Sequence, residues 1–348
     1  MTENCRGAQS LDEFFNTKRR HDKNYILVIF IITVCSSDAF TNCDSRHPWL
    51  ASNAEFYKEA QMSLFLQQLL NGISNSSVLF LTTIGLVIIF GMMDVVNNAH
   101  GEFIMIGAYT ACISVNALHI PFALACILAA LVTGIVGIII EQAVIKKLYG
   151  KVAETLLVTF ALEYIIQQIV RMIFGPESQT LEVPLRGQIT VLGVSIPYYN
   201  LILILMALVV LALTLVLFYK TSFGMQLRAI TQNRDMTQCL GINVARINMF
   251  TFGYGAALAG FSGALIAPIK SVFPGMGPAF NVDGFLVVIL GGLNSIIGSF
   301  ASSFVINESI TIMSGYMSQI VSKLLIFVVI IVIVRFRPNG LFSSKEKR

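Results

Sequence analysis

Between Arg228 and Gly292 the chain reads RAITQNRDMTQCLGINVARINMFTFGYGAALAGFSGALIAPIKSVFPGMGPAFNVDGFLVVILGG. The stretch opens polar and basic and then becomes apolar over lengths that cross a bilayer. A simple membrane anchor has no use for such a segment between two spans. A protein that is gripped from the cytoplasm does.

Outward from this block the chain keeps the same character. Of its 348 residues 55% are hydrophobic and 12% charged, with a mean hydropathy of +0.76, whereas a soluble domain carries about 25% charged residues. Asp, Glu, Lys and Arg are all absent from Ala60–Met93, Phe103–Ile140, Gly187–Tyr219, Ile247–Ile269 and Gly284–Asn307. A helical span needs about 20 apolar residues, and a membrane strand needs alternating polarity; these stretches do not alternate. The fold class is therefore all-α, a polytopic transmembrane bundle of about eight mature helices, some discontinuous. The net charge of +4 comes from basic residues at helix ends, not from a patch, which excludes nucleic acid as a partner. The six cysteines are scattered and predict no disulfide framework.

The basic KRRHDK at 18–23 precedes the apolar Tyr25–Val34 and the small residues before Phe40, the pattern of a secretory signal. Residues 1–39 are thus a signal-like segment, with an uncleaved anchor as the competing reading. Residues 40–65 are then extracytoplasmic, 66–342 form the transmembrane domain and 343–348 a cytoplasmic tail. The positive-inside rule places Lys146, Lys147 and Lys151, then Lys220, Arg228, Arg234 and Arg246, and finally Arg335–Arg348 in the cytoplasm. Arg171 and Lys270 are exceptions on the outer side. The spans predicted from this run from Gly72–Gly91 to Met317–Val334, with a short one at Asp283–Leu293, and fit the plasma (inner) membrane.

Two segments break the pattern. VVNNAHGEFIMIGAY (Val95–Tyr109) and NVDGFLVVILGGLNSIIGS (Asn281–Ser299) each set an acidic residue beside a glycine and follow it with a short apolar run. Gly-interrupted short hydrophobic segments in the two halves of a transporter point to broken helices around a solute path. Gly101, Gly291 and Gly292 are the candidate breaks. Asn97, Asn98, His100 and Glu102 form a polar group at the inner end of a span, where capping and solute contact are both open readings. Gly253, Gly255, Gly260 and Gly263 are assigned to helix packing. Metal and nucleophile motifs are absent from the sequence, so no enzyme activity, metal or cofactor is expected.

RAITQNRDMTQCLGINVARINMFTF, the DGFLVVILGG block, the closing RFRPNGLF and the upstream NNAHGEFIMIGAY together resemble the permease subunits of branched-chain amino acid ABC importers, with the urea branch closest. The similarity runs from about Leu66 to Phe342. Asn98 departs from the family at a position that is usually apolar, and Asn294 stands where Gly is common. The resemblance implies cytoplasmic ATP-binding subunits that use the ATP, a second related permease chain, an extracytoplasmic solute-binding protein and a lipid bilayer around the bundle. It further implies that the segment around Ala229–Gly241, read as a short surface helix, docks the ATPase through Arg228, Gln232, Asn233, Arg234 and Gly241. On this reading the solute is small and polar, urea first and a branched-chain amino acid or short amide as the alternative. Asn97, Asn98, His100, Glu102, Tyr109, Asn281, Asp283 and Asn294 would line its path. A channel or secondary transporter without an ATPase is the rival class, with Glu163 and Glu308 as further deep carboxylates.

Overall fold

The computed structural model describes residues 48–340 apart from 94, 186, 192–193, 293–294, 316 and 338–339, with side chains from Leu66 onward, Val191 and Val194 excepted. The signal-like segment, the cytoplasmic tail and Asn294 lie outside the described residues.

Among the described residues eleven α-helices follow one another: α1 (Pro48–Met93), α2 (His100–Asn116), α3 (Phe122–Ala143), α4 (Val152–Phe174), α5 (Tyr198–Lys220), α6 (Ser222–Gln232), α7 (Arg234–Cys239), α8 (Val244–Ile266), α9 (Gly277–Gly291), α10 (Ile296–Ser314) and α11 (Gln319–Phe336). Seven of the described helices are long and apolar enough to cross a bilayer; in α1 that part is Leu66–Met93. The boundaries read from sequence agree within a few residues except at two places. Residues 48–65, expected only as an outer segment, already belong to α1. The short span expected at Asp283–Leu293 begins at Gly277, where Pro278 in the first turn supplies a helix start. The structure also holds a small antiparallel hairpin, β1 (Gln188–Val191) against β2 (Val194–Pro197). Its period-two run was hidden inside a charge-free stretch.

The helix α8 is central. Its glycine-rich face lets it approach α2 and α3 closely, with Gly260 against Gly107 and Thr133, Gly263 against Ile104 and Gly253 beside Ile138, as small residues permit between membrane helices. The Phe103 and Phe252 rings meet edge to face at 6.0 Å. On another side α5 is tied to α8 by the Tyr199 hydroxyl, which donates to the Leu265 carbonyl at 2.7 Å, and by the Thr214–Tyr254 pair at 3.1 Å. A separate apolar cluster joins α9, α10 and α11 through Val287, Leu290, Ile306, Ile310, Ile326 and Ile330. Outward-facing Leu205, Leu213, Val216, Leu324 and Val328 remain exposed, as a lipid-facing surface requires.

Two helices of the bundle fall outside these seven. With 17 residues in α2 and 15 in α9, they reach about 25 and 22 Å at the helical rise. Each is preceded by non-helical chain, and this is what builds the site.

Candidate functional site

After α1 ends at Met93, residues 95–99 run back into the bundle without helical structure. His100 marks how far they climb: its Nε2 donates to the Thr82 carbonyl at 3.1 Å, a point about 16 Å along α1 from Met93 at the helical rise. Because a carbonyl only accepts, the imidazole carries a proton on Nε2. The polar group read as lying at the inner end of a span therefore sits deep in the bundle. Irregular backbone at this depth needs internal partners, and α4 provides one. The Thr159 hydroxyl accepts from the Asn98 amide at 3.2 Å and lies 3.4 Å from the Val96 carbonyl.

From the opposite side, the segment after α8 descends past Val272, which pairs with Gln179, to the start of α9. There the N-termini of α2 and α9 meet. Gly101 and Gly277 touch so closely that a Cβ on either would be driven into the other's backbone; only glycine allows this approach. The Asn281 side-chain amide donates to the Asn98 carbonyl. Glu102 is fully buried, its Oε1 accepting from Gln167 Nε2 at 2.8 Å. Two short helices thus run away from a common junction, each introduced by a re-entrant stretch.

Of the residues predicted for the path, Asn97, Asn98, His100, Glu102 and Asn281 come together here. Tyr109 lies further along α2, stacked on Phe174 at 5.0 Å with its hydroxyl buried. Asp283 faces α11, where Lys323 donates to both its oxygens at 3.0 and 2.7 Å. Among the proposed breaks, Gly101 is inside α2 and Gly291 ends α9 against Ser299 and Ser302. The backbone turns at Gly292, with φ 95°. Thr82, Thr159 and Gln167 complete the junction and were missed, because nothing in their own helices distinguishes them.

The junction is polar yet closed. Among the described residues Asn97 Nδ2, His100 Nδ1, Glu102 Oε2 and Asn281 Oδ1 are buried with no hydrogen-bond partner. Leaving such an atom unpaired costs about 1–3 kcal/mol, so four at one place make the junction the point in the bundle that most favours a further polar partner.

At the cytoplasmic end the single helix expected before Gly241 is two. Asn233 is extended, and its side chain caps α7 by accepting from the Met236 amide at 3.0 Å, which separates α6 from α7. Thr221 caps α6, Gly241 turns with φ 81° and Asn243 caps α8. Met225, Arg228, Gln232, Met236 and Leu240 are exposed. Arg228 lies over the Tyr219 ring at 5.3 Å, and Arg234 over Tyr149 at 4.9 Å. The Tyr149 hydroxyl in turn donates to buried Glu141 at 2.7 Å; burial and that carboxylate hold the phenol above its ordinary pKa. Arg234 therefore ties α7 to the loop between α3 and α4.

Residues 68–334 match the family model described as branched-chain amino acid transport system / permease component. The chain belongs to this family. The permease is 29% identical to the high-affinity branched-chain amino acid transport system permease protein BraD of Pseudomonas aeruginosa, over 81% of this chain and 97% of that one. It is 27% identical to LivH of Escherichia coli K12, over 82% and 98%, and 26% identical to the probable LivH of Methanocaldococcus jannaschii, over 78% and 91%. No solved structure matches it. These relatives are transport permeases, in agreement with a multi-pass membrane subunit that is not an enzyme. They are named for branched-chain amino acids, and urea, the first solute expected from the sequence, finds no support among them.

Proposed function

We propose that this permease carries a branched-chain amino acid into the cell as one subunit of an ATP-driven importer. The observation that carries the reading is the near end-to-end match to permeases named for that solute, 97% of BraD and 98% of LivH. The buried junction is the element that opens and closes: α2 and α9 move apart, and the unpaired atoms of Asn97, His100, Glu102 and Asn281 meet water or solute. Cytoplasmic ATP-binding subunits grip α6 and α7, a second related permease chain completes the membrane part, and an extracytoplasmic binding protein delivers the solute. ATP is bound by the partner and not by this chain.

The test is uptake by cells expressing the complete transporter, with radiolabelled leucine and urea offered side by side. ATP-dependent accumulation of leucine, together with an ATPase recovered in a native pull-down, is the expected result. Accumulation of urea alone refutes the solute, and transport without any associated ATPase refutes the importer in favour of a channel or secondary transporter.

A further inference from the structure

One charged group stands apart from the junction and from the docking helices. On α9 and α11 the Asp283–Lys323 pair closes at 2.7 Å, with the side chains 28% and 44% exposed. The Lys270 ammonium lies 4.9 Å from the Phe280 ring centroid and close enough to Asp283 and Lys323 to feel both charges. Among the described residues Lys270 has no carboxylate at ion-pair distance, so the group holds two cations and one anion. Around it the surface is apolar, with Val282, Ile320, Leu324 and Phe273 all exposed.

The depth of this group is what makes it informative. Lys323 is about 18 Å along α11 from Arg335, and Asp283 about 13 Å along α9 from Gly292, at the helical rise. Lys323 is also about 6 Å along α11 from its start at Gln319, so the pair sits within the length of the membrane helices, toward the outer end of α11. A lipid-facing helix surface is served by Val282, Ile320 and Leu324. It is not served by the charged Asp283 and Lys323, which on a membrane helix face a watery cavity or another protein, and Lys270 joins them from the segment that follows the end of α8 at Ile266.

We propose that Lys270, Asp283 and Lys323 form a subsite for a zwitterionic α-amino acid on the water-filled side of the permease. The Asp283 carboxylate receives the solute's ammonium group while keeping Lys323, and Lys270 receives its carboxylate. Phe280, one turn before Asp283 on the same face of α9, offers the apolar surface a branched side chain needs. Asn281, the neighbour of Val282, belongs to the closed junction, so the subsite lies directly beside the barrier. The charges are chosen for a zwitterion; urea, being neutral, would use none of them. The inference rests on the amino-acid reading above.

The test uses the complete transporter in cells and compares leucine uptake with inhibition by 3-methylbutylamine, which lacks the carboxylate, and 4-methylpentanoate, which lacks the ammonium group. In Lys270→Gln the KM for leucine rises by about tenfold or more, equivalent to at least about 1.4 kcal/mol of lost binding. The amine then competes as well as leucine does, Lys270→Arg restores the wild-type pattern, and the amount of protein in the membrane is unchanged. This variant breaks no ion pair, so it avoids the folding risk of Asp283→Asn. Val282→Cys, in a background whose native cysteines are changed to serine or alanine, reacts with a water-soluble methanethiosulfonate and is protected by leucine. If Lys270→Gln keeps the wild-type KM and analogue selectivity, or if the Val282→Cys variant is inert to the reagent, the subsite is refuted while leucine transport stands. If the wild-type cells take up urea and no leucine, the solute reading itself falls and the subsite with it.

Discussion

Glu102 lies in the interior of the bundle where α2 and α9 meet, with one oxygen bonded to Gln167 and the other without a hydrogen-bond partner among the described residues. Glu102→Gln preserves shape and replaces that acceptor in part by a donor. Leucine uptake is expected to fall at least about tenfold, the effect of losing about 1.4 kcal/mol, with the protein still present at normal level on an immunoblot. Equal loss of protein and uptake would make Glu102 a structural residue. The glycines beside it behave differently. Gly101→Ala and Gly277→Ala force a methyl group into opposing backbone, an overpacking that costs about 1–3 kcal/mol, so both lower the yield of assembled permease. Gly263, which the sequence assigns to packing in contrast to Gly101 and Gly291, would also meet backbone. The contrast between pathway and packing glycines dissolves, since all three are close approaches. At this scale the sequence shows the NNAHGE cluster as polar residues stranded in an apolar run. It does not show Gln167 or Thr82, whose roles come from neighbours far away in the chain.

Among the elements, α9 shows what a charge-based reading of spans misses. Asp283 interrupts the apolar run and draws the expected boundary to itself, yet the helix begins at Gly277 and absorbs Asp283 by pairing it with Lys323. The signal that marks the true start, FPGMGP with Pro278 in the first turn, is local turn chemistry, not hydropathy. The segment from Arg228 to Gly241 is legible as polar and basic, but the break at Asn233 depends on a side chain reaching the Met236 amide. That break also redistributes the roles of two arginines. Charge reversal at exposed Arg228 combined with Leu240→Asp is expected to reduce recovery of the ATPase in a pull-down; a single surface pair contributes only about 0–1 kcal/mol, so both changes are needed. Arg234 leans on Tyr149, and Tyr149→Phe removes the bond to Glu141 without touching the exposed face. That variant is expected to retain the ATPase but to transport fewer solute molecules per ATP, measured in proteoliposomes. Loss of the ATPase in Tyr149→Phe would place Tyr149 in the docking surface instead.

For the molecule as a whole, the arrangement of two re-entrant segments explains why the bundle holds two helices shorter than its seven spans. One segment enters between α1 and α4 and the other after α8, and the short helices they introduce run apart from the Gly101–Gly277 contact. The backbone of the first stretch is met by Thr159 of α4 and by Asn281 of α9, and that of the second by its pairing with Gln179, so neither could exist at this depth alone. Such a junction is a two-state device only if it separates during transport. A tether across it decides the matter. Asn98 and Asn281, joined by a hydrogen bond, are replaced by cysteine in a background whose native cysteines are changed to serine or alanine. Oxidation closes a disulfide between α9 and the entering segment, and reduction removes it. If the junction opens in every cycle, the oxidised protein takes up no leucine and recovers on reduction, while an oxidised single-cysteine variant transports normally throughout. A cross-linked permease that transports as well as its reduced form would show that solute passes without the junction parting, and the path would then have to run elsewhere in the bundle.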